Sequence, residues 1–245
     1  LTLIRCVLMH FGFFIFFISL EKLSLSTVTA LFFAAPFFIT ILSALVLSER
    51  IGLIRVLIIV LGFIGVFLIV KPFKESEFSF FMLAPLFTAF SYAVAMVISK
   101  YTKENENAFL QAFQQYSVSL LLSVITYIII LVFPLDMIDK EEWRFIFGSI
   151  KFDDYNILIS IAILSIFGTL GMTSLIHAYQ VGSPITNGPT EYVLLILAII
   201  NGYFFFGNIP DYLSLAGIIL IILGGWALFF REYKRNKLGN QVSPA

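Results

Sequence analysis

Apolar residues fill this chain in long runs, and polar residues fall in short clusters between them. The runs cover roughly 3–20, 26–47, 52–70, 79–98, 108–133, 157–179, 184–206 and 212–230. Each is close to the ~20 residues that carry a helix across a bilayer core. None alternates with period two, so helix is predicted over strand. The breaks are brief: Glu21-Lys22, Ser48-Glu49-Arg50, Lys71 to Glu77, Lys100 to Asn107, Gln180 to Pro184, and Gly207 to Asp211. Connectors this short leave little room for a soluble domain. The pattern predicts an all-α, polytopic transmembrane helix bundle with eight helices.

One connector is longer, from Pro134 to Asn156. Its middle, Glu141 to Ile150, interleaves charges with Trp143, Phe145, Ile146 and Phe147. That pattern fits a short amphipathic helix on the membrane surface, and equally a solvated acidic connector.

Composition agrees with the pattern. Of 245 residues, 60% are hydrophobic and 12% charged, and the mean hydropathy is +1.01. Soluble domains average about 45–50% apolar and about 25% charged residues. The formal net charge is zero, which gives no support to a nucleic-acid partner. Cys6 is the only cysteine, so an intramolecular disulfide is excluded.

Lys and Arg set the expected orientation. With the C-terminal tail inside, alternation places Arg5, Arg50, Arg55, Lys100, Lys103, Arg231, Lys234, Arg235 and Lys237 inside. Lys22, Lys71, Lys74, Lys140, Arg144 and Lys151 fall outside, the last three in the long connector. Both ends are therefore expected on the cytoplasmic face of a cell inner (plasma) membrane.

An offset of 159 residues lays the chain on itself. Ser24 to Thr27 meets Ser183 to Thr186, the run 26–47 meets 184–206, and 52–70 meets 212–230 with Gly65 on Gly224. Corresponding runs lie five helices apart. An odd number makes the copies cross the membrane in opposite senses, as in inverted-repeat secondary transporters. The second copy holds five runs and the first only three, and residue 1 is Leu. Two further helices, about 60 residues with their loops, are expected before Leu1.

Several stretches carry a family resemblance. They are Ala35-Pro36-Phe37, Leu45 to Gly52, Gly62 to Val66 closing at Lys71-Pro72, and Gly202 to Asp211 followed by Gly217, Gly224 and Arg231-Glu232. Together they resemble the EamA domain of the drug/metabolite transporter superfamily, over essentially the whole chain. The resemblance implies ten helices in two inverted halves of five, of which residues 1–72 would be a partial first repeat and 78–232 the second, with 233–245 a cytoplasmic tail. It implies transport without fixing the substrate. One departure is Asn208, where the family usually has glutamate at the end of its ninth helix.

A carrier needs polar groups facing a cavity, because facing lipid is costly. Glu191 is the leading candidate, about seven residues into its run and so roughly 10 Å deep. It fits a cationic substrate group or a coupling proton; the structural alternative is a paired or protonated carboxyl. Asn187, Thr190 and Tyr192 surround it. Pro189 lacks an N–H, and broken backbone at membrane depth is tolerated where it lines a cavity. The matching helix of the first copy carries Thr27, Thr29, Pro36 and Thr40. Two kinked helices in matching positions point to a shared substrate-binding site. Further candidates are His10 in mid-span, His177 near a span end, and Ser91 and Tyr92 after Pro85. Gln111, Gln114 and Gln115 share one face of a helix start, suiting either a vestibule or the headgroup level. The glycine pairs Gly62/Gly65 and Gly217/Gly224 read as helix packing.

No phosphate loop, metal-ligand spacing or nucleophile elbow is present; no enzyme activity, cofactor or metal is expected. The function expected is a permease that moves a small metabolite or drug-like solute by alternating access. Its partners would be the small-molecule substrate, the lipid bilayer, a coupling proton or cation, and a second copy in a homodimer, with no nucleic acid among them. The competing reading is a membrane scaffold or assembly factor without transport. Convergence of Glu191, Tyr192, Tyr92 and Asn187 on a water-accessible cavity would separate the two.

Overall fold

The computed structural model describes residues 1–23, 25–47, 52–70, 80–132 and 155–191, then scattered positions between 194 and 230. The long connector, Glu49-Arg50, Lys71-Pro72, Tyr192, Asn208 and the tail with Arg231-Glu232 lie outside the described residues. Among the described residues every regular element is helical: α1 (Thr2–Ser19), α2 (Leu25–Phe32), α3 (Ala35–Val46), α4 (Leu53–Val70), α5 (Leu83–Tyr101), α6 (Ala108–Val132), α7 (Tyr155–Val181) and α8 (Pro184–Thr190). A short 3-10 turn, Phe80–Met82, leads into α5. Four of these, α1, α5, α6 and α7, are long and apolar enough to cross a membrane. Shorter apolar helical stretches occupy Ala35–Val46, Val56–Gly65 and Leu215–Gly224.

The bundle is built around α5. Its most apolar window is 56% buried, against 6% for α6 and 0% for α7, so α5 is central and the other two are largely exposed. The spacing on α5 explains this. Ala89, Tyr92, Ala93 and Met96 fall on one face and pack with Met9, Ala34, Ala35, Ile39 and Tyr179. The other buried positions of α5 are small as well, including Ser91 and Ala95. Small side chains let helices approach closely where lipid offers no hydrophobic drive between them. The closest approach is between α1 and α5: a Cβ on Gly12 would sit 3.0 Å from Ser91 Cβ, and Thr88 Oγ1 donates to the Gly12 carbonyl at 2.7 Å.

On the exposed sides the hydroxyls satisfy themselves. Ser160, Ser165, Thr169 and Thr173 of α7 each donate to the carbonyl four residues back, at 2.7–2.8 Å. This is how a hydroxyl is carried on a helix facing hydrocarbon. Asn107 caps α6 through Oδ1, which accepts from Leu110 N–H at 2.8 Å.

The run 26–47 is interrupted, not merely kinked. Pro36 has no N–H to donate, and the chain turns at Phe33-Ala34, where Ala34 N–H bonds to Leu31 O and Phe37 N–H to Ala34 O. These three-residue spacings tighten the turn between α2 and α3. The run 184–206 is interrupted as well: α8 stops at Thr190, and Glu191 stands in the turn, with Glu191 N–H on Gly188 O and Leu194 N–H on Glu191 O. Helical residues resume at 194. The 159-residue offset puts Phe32 on Glu191, so both copies break at the same place. Matching elements also touch: a Cβ on Gly188 would lie 3.4 Å from Pro36 Cα, and one on Gly224 3.6 Å from Ile58 Cγ2.

The α1–α5 crossing yields a prediction. Gly12→Leu forces the helices apart and lowers the melting temperature in detergent, by the roughly 1–3 kcal/mol of overpacking. Gly12→Ala costs less, and adding Ser91→Gly to it restores stability. If Gly12→Leu melts like the unaltered protein, the crossing is not where the structure places it.

Candidate functional site

The break after α8 sets Glu191 among aromatic side chains from α5 and α7. Tyr92 donates to Glu191 Oε1 at 2.7 Å, and Tyr179 donates to the same oxygen at 2.5 Å. Both phenols are buried, at 4% and 0% exposure, while Glu191 itself is only partly buried. Among the described residues no donor reaches Oε2. Hydrogen bonds to a charged acceptor are short and strong in a low-dielectric setting. The arrangement therefore fixes one carboxylate oxygen and leaves the other for a ligand, a proton or water.

Both hydrogen-bond donors belong to the second half of the chain. The first half reaches the site through packing: the ring of Phe32 meets that of Tyr92 edge to face at 5.4 Å, and Pro36 lies against Gly188. Phe32 is the residue that the repeat pairs with Glu191, so the two helix breaks meet at Tyr92.

The α7–α8 connector, which leads into α8 and so to Glu191, is capped by Lys100 of α5 and by Asn187. Lys100 Nζ donates to the carbonyls of Gln180 at 2.8 Å, Val181 at 3.3 Å and Gly182 at 2.6 Å. A cation there meets the negative end of the α7 dipole and pairs carbonyls that have no helical partner. Asn187 Nδ2 donates to Ala178 O at 2.6 Å. Its amide fills the space beside Gly182, where a Cβ would come within 2.7 Å of it.

The other expected site residues are dispersed. Asn187 serves the α7 cap, because its short side chain at the start of α8 faces back to the preceding helix end. Thr190 Oγ1 donates to Asn187 O at 2.6 Å and is exposed. Ser91 is buried against Gly12; one residue from Tyr92 on a helix, it points about 100° away from it. His10 packs beside Phe11 and Phe14, with ring centroids 5.6 and 6.3 Å away. His177 is exposed. Gln114 accepts from Arg5 Nη2 at 3.4 Å, and Gln111 and Gln115 are buried against neighbouring elements. In this structure α1 packs over that glutamine face. Of the sequence candidates, Glu191 and Tyr92 come together.

Tyr179, Lys100 and Arg5 were missed as participants. Tyr179 had a signal: Met172, Leu175, Ile176, Tyr179 and Gln180 follow helical spacing and are the inward face of α7. Arg5 reads in the sequence as an inside charge near the N-terminal end, yet it is 1% exposed inside the bundle.

Comparison with known proteins adds to this geometry. The profile of the EamA-like transporter family matches residues 1–71 and 79–230. A pseudopaline exporter of Pseudomonas aeruginosa is 25% identical over 213 residues, covering 87% of this chain and 69% of its own length. An S-adenosylmethionine uptake transporter of Rickettsia conorii is 27% identical over 235 residues, covering 95% of this chain and 72% of its own. A solved crystal structure overlays with a TM-score of 0.69 at 16% identity, over 96% of this chain and 77% of that one, which is a likeness of fold.

The two phenolic bonds are open to direct measurement. In a double-mutant cycle, Tyr179→Phe and Glu191→Ala should show coupling of about 1–3 kcal/mol in thermal or chemical unfolding. Strict additivity would mean that the hydrogen bond is not formed.

Proposed function

We propose that this chain, which belongs to the EamA-like transporter family and is a multi-pass membrane transporter of a small molecule, moves its substrate past the Glu191 carboxylate by alternating access. The observation that carries the proposal is the carboxylate standing in a helix break, with one oxygen held by two buried tyrosines. Intramembrane ionisable groups are scarce because they are expensive, and they mark substrate and ion paths. Discontinuous helices at the repeat interface are where such carriers place their sites. The matching breaks at Phe33-Ala34 and Glu191 support two halves related by a pseudo-two-fold axis in the membrane plane, residues 1–72 and 78–232. The chain is a carrier on this reading and not an enzyme.

Glu191 takes either a cationic group of the substrate or the coupling proton, with Tyr92 and Tyr179 orienting it; Thr190 and Tyr192 are its neighbours in the sequence. The membrane is the cell inner membrane with the C-terminus cytoplasmic, as the Lys and Arg distribution supports. A homodimer is compatible with the exposed flanks of α6 and α7.

Uptake into proteoliposomes tests the proposal, screened over amino acids, nucleosides, vitamins and cationic drugs. S-adenosylmethionine comes first, because it is the substrate named for the Rickettsia relative. Glu191→Gln should reconstitute in normal yield yet lose at least tenfold in uptake or lose its pH dependence. A Gln variant that transports at the unaltered rate from acidic to mildly alkaline pH would remove Glu191 from the mechanism.

A further inference from the structure

A second polar cluster lies at the end of the bundle where α1 and α6 begin and α5 and α7 finish. Arg5 is sealed there between α1 and α6. Its Nη2 donates to Gln111 O at 3.0 Å and Gln114 Oε1 at 3.4 Å, and the Glu106 carboxylate is near enough to act on it electrostatically. Thr2 Oγ1 donates to Glu106 Oε1 at 2.6 Å. Gln115 Nε2 donates to Cys6 O at 3.2 Å. These bonds tie α1 to α6 and to the connector that carries Glu106. That connector is tied in turn to α7, because Gln180 Nε2 donates to Glu106 O at 2.8 Å.

The cluster is only partly satisfied. Arg5 Nε, Glu106 Oε2, Gln111 Oε1 and Gln115 Oε1 are all buried, and among the described residues no group pairs with them. Each such atom costs about 1–3 kcal/mol when left unmade, and more on a charged group. An apolar seam would stay shut, and so would a fully paired one. A seam held by a few hydrogen bonds and opposed by four orphaned atoms is balanced differently, since water entering it satisfies the orphans.

We infer that the seam between α1 and α6 is a gate: it is closed in this structure by Arg5, Thr2 and the glutamines, and it opens to water at this end of the bundle. Parting α1 from α6 hydrates Arg5 and Glu106 and frees the carbonyls of Cys6 and Gln111. The gate stands at the same end as the Lys100-capped connector that leads into α8 and Glu191. It gives alternating access a two-state element, which small shifts can throw because packed seams do not deform continuously. The inference stands on the seam alone and does not depend on the role of Glu191.

The chain carries its own reporter. Cys6 is the only cysteine, is 0% exposed and lies in the seam, where Arg5 Nη2 approaches its Sγ at 3.6 Å. The test is alkylation of Cys6 by a sulfonated, membrane-impermeant maleimide, added to both sides of proteoliposomes of the full chain. The gate predicts slow labelling that runs to completion without denaturant. Thr2→Val with Gln114→Leu, which removes two ties, should label about tenfold faster; Thr2→Val alone, about threefold. Ile39→Ala, which weakens the core away from the seam, should leave the rate unchanged. Three results would overturn the inference: labelling of the unaltered protein only after denaturation, labelling only by lipid-soluble N-ethylmaleimide, or equal acceleration by Ile39→Ala, which would mean global unfolding.

Discussion

The Glu191 carboxylate, with one oxygen held by Tyr92 and Tyr179, is the interaction around which the candidate site is arranged. In hydrocarbon no water is at hand to solvate a polar group, so the protein itself must supply partners. Glu191 obtains them only because α7 ends, turns and re-enters as α8 at the level where α5 presents Tyr92. That turn in turn leaves carbonyls at the α7 terminus, and Lys100 and Asn187 occupy them. The same requirement governs the periphery, where the hydroxyls of α7 bond back along their own helix.

The broken helices follow from the same rule. A break frees backbone groups, so it survives only where neighbours or water repair it. The first copy breaks at Phe33-Ala34 before Pro36 and the second at Glu191, and Pro36 packs on Gly188 close by. Two weak points placed together are poor design for a scaffold and a sound one for a carrier, whose site must change the side from which it is reached. The family assignment and the named relatives agree with that reading at the level of transport, while the substrate belongs to this chain's own chemistry.

Much of the architecture was legible because lipid imposes long apolar runs, and the runs at 3–20, 79–98, 108–133 and 157–179 each coincide closely with a helix. Glu191 was legible for the same reason: a lone acid in such a run stands out. Tyr92 stands in its run after Pro85, and it does meet Glu191. What escaped was anything decided by partners distant in sequence. Tyr179 is one tyrosine among ten until α7 is rotated against α5. Arg5 looks like a terminal charge until α6 covers it. Asn187 is four residues from Glu191 in sequence, yet its amide donates to the Ala178 carbonyl at the end of α7. The glutamines of α6 share a face, as spacing indicated, but spacing does not say that α1 covers that face.

The central claim is that Glu191 lies on the substrate path and is reached from water. Its most direct test replaces the residue with a thiol, as Glu191→Cys in a Cys6→Ser background, and measures modification by a hydrophilic thiol reagent in sealed vesicles. The account predicts reaction at position 191 from the aqueous phase, slowed by a transported substrate. A thiol there that resists every water-borne reagent, yet yields to a lipid-soluble one, would place residue 191 against the acyl chains and contradict the account.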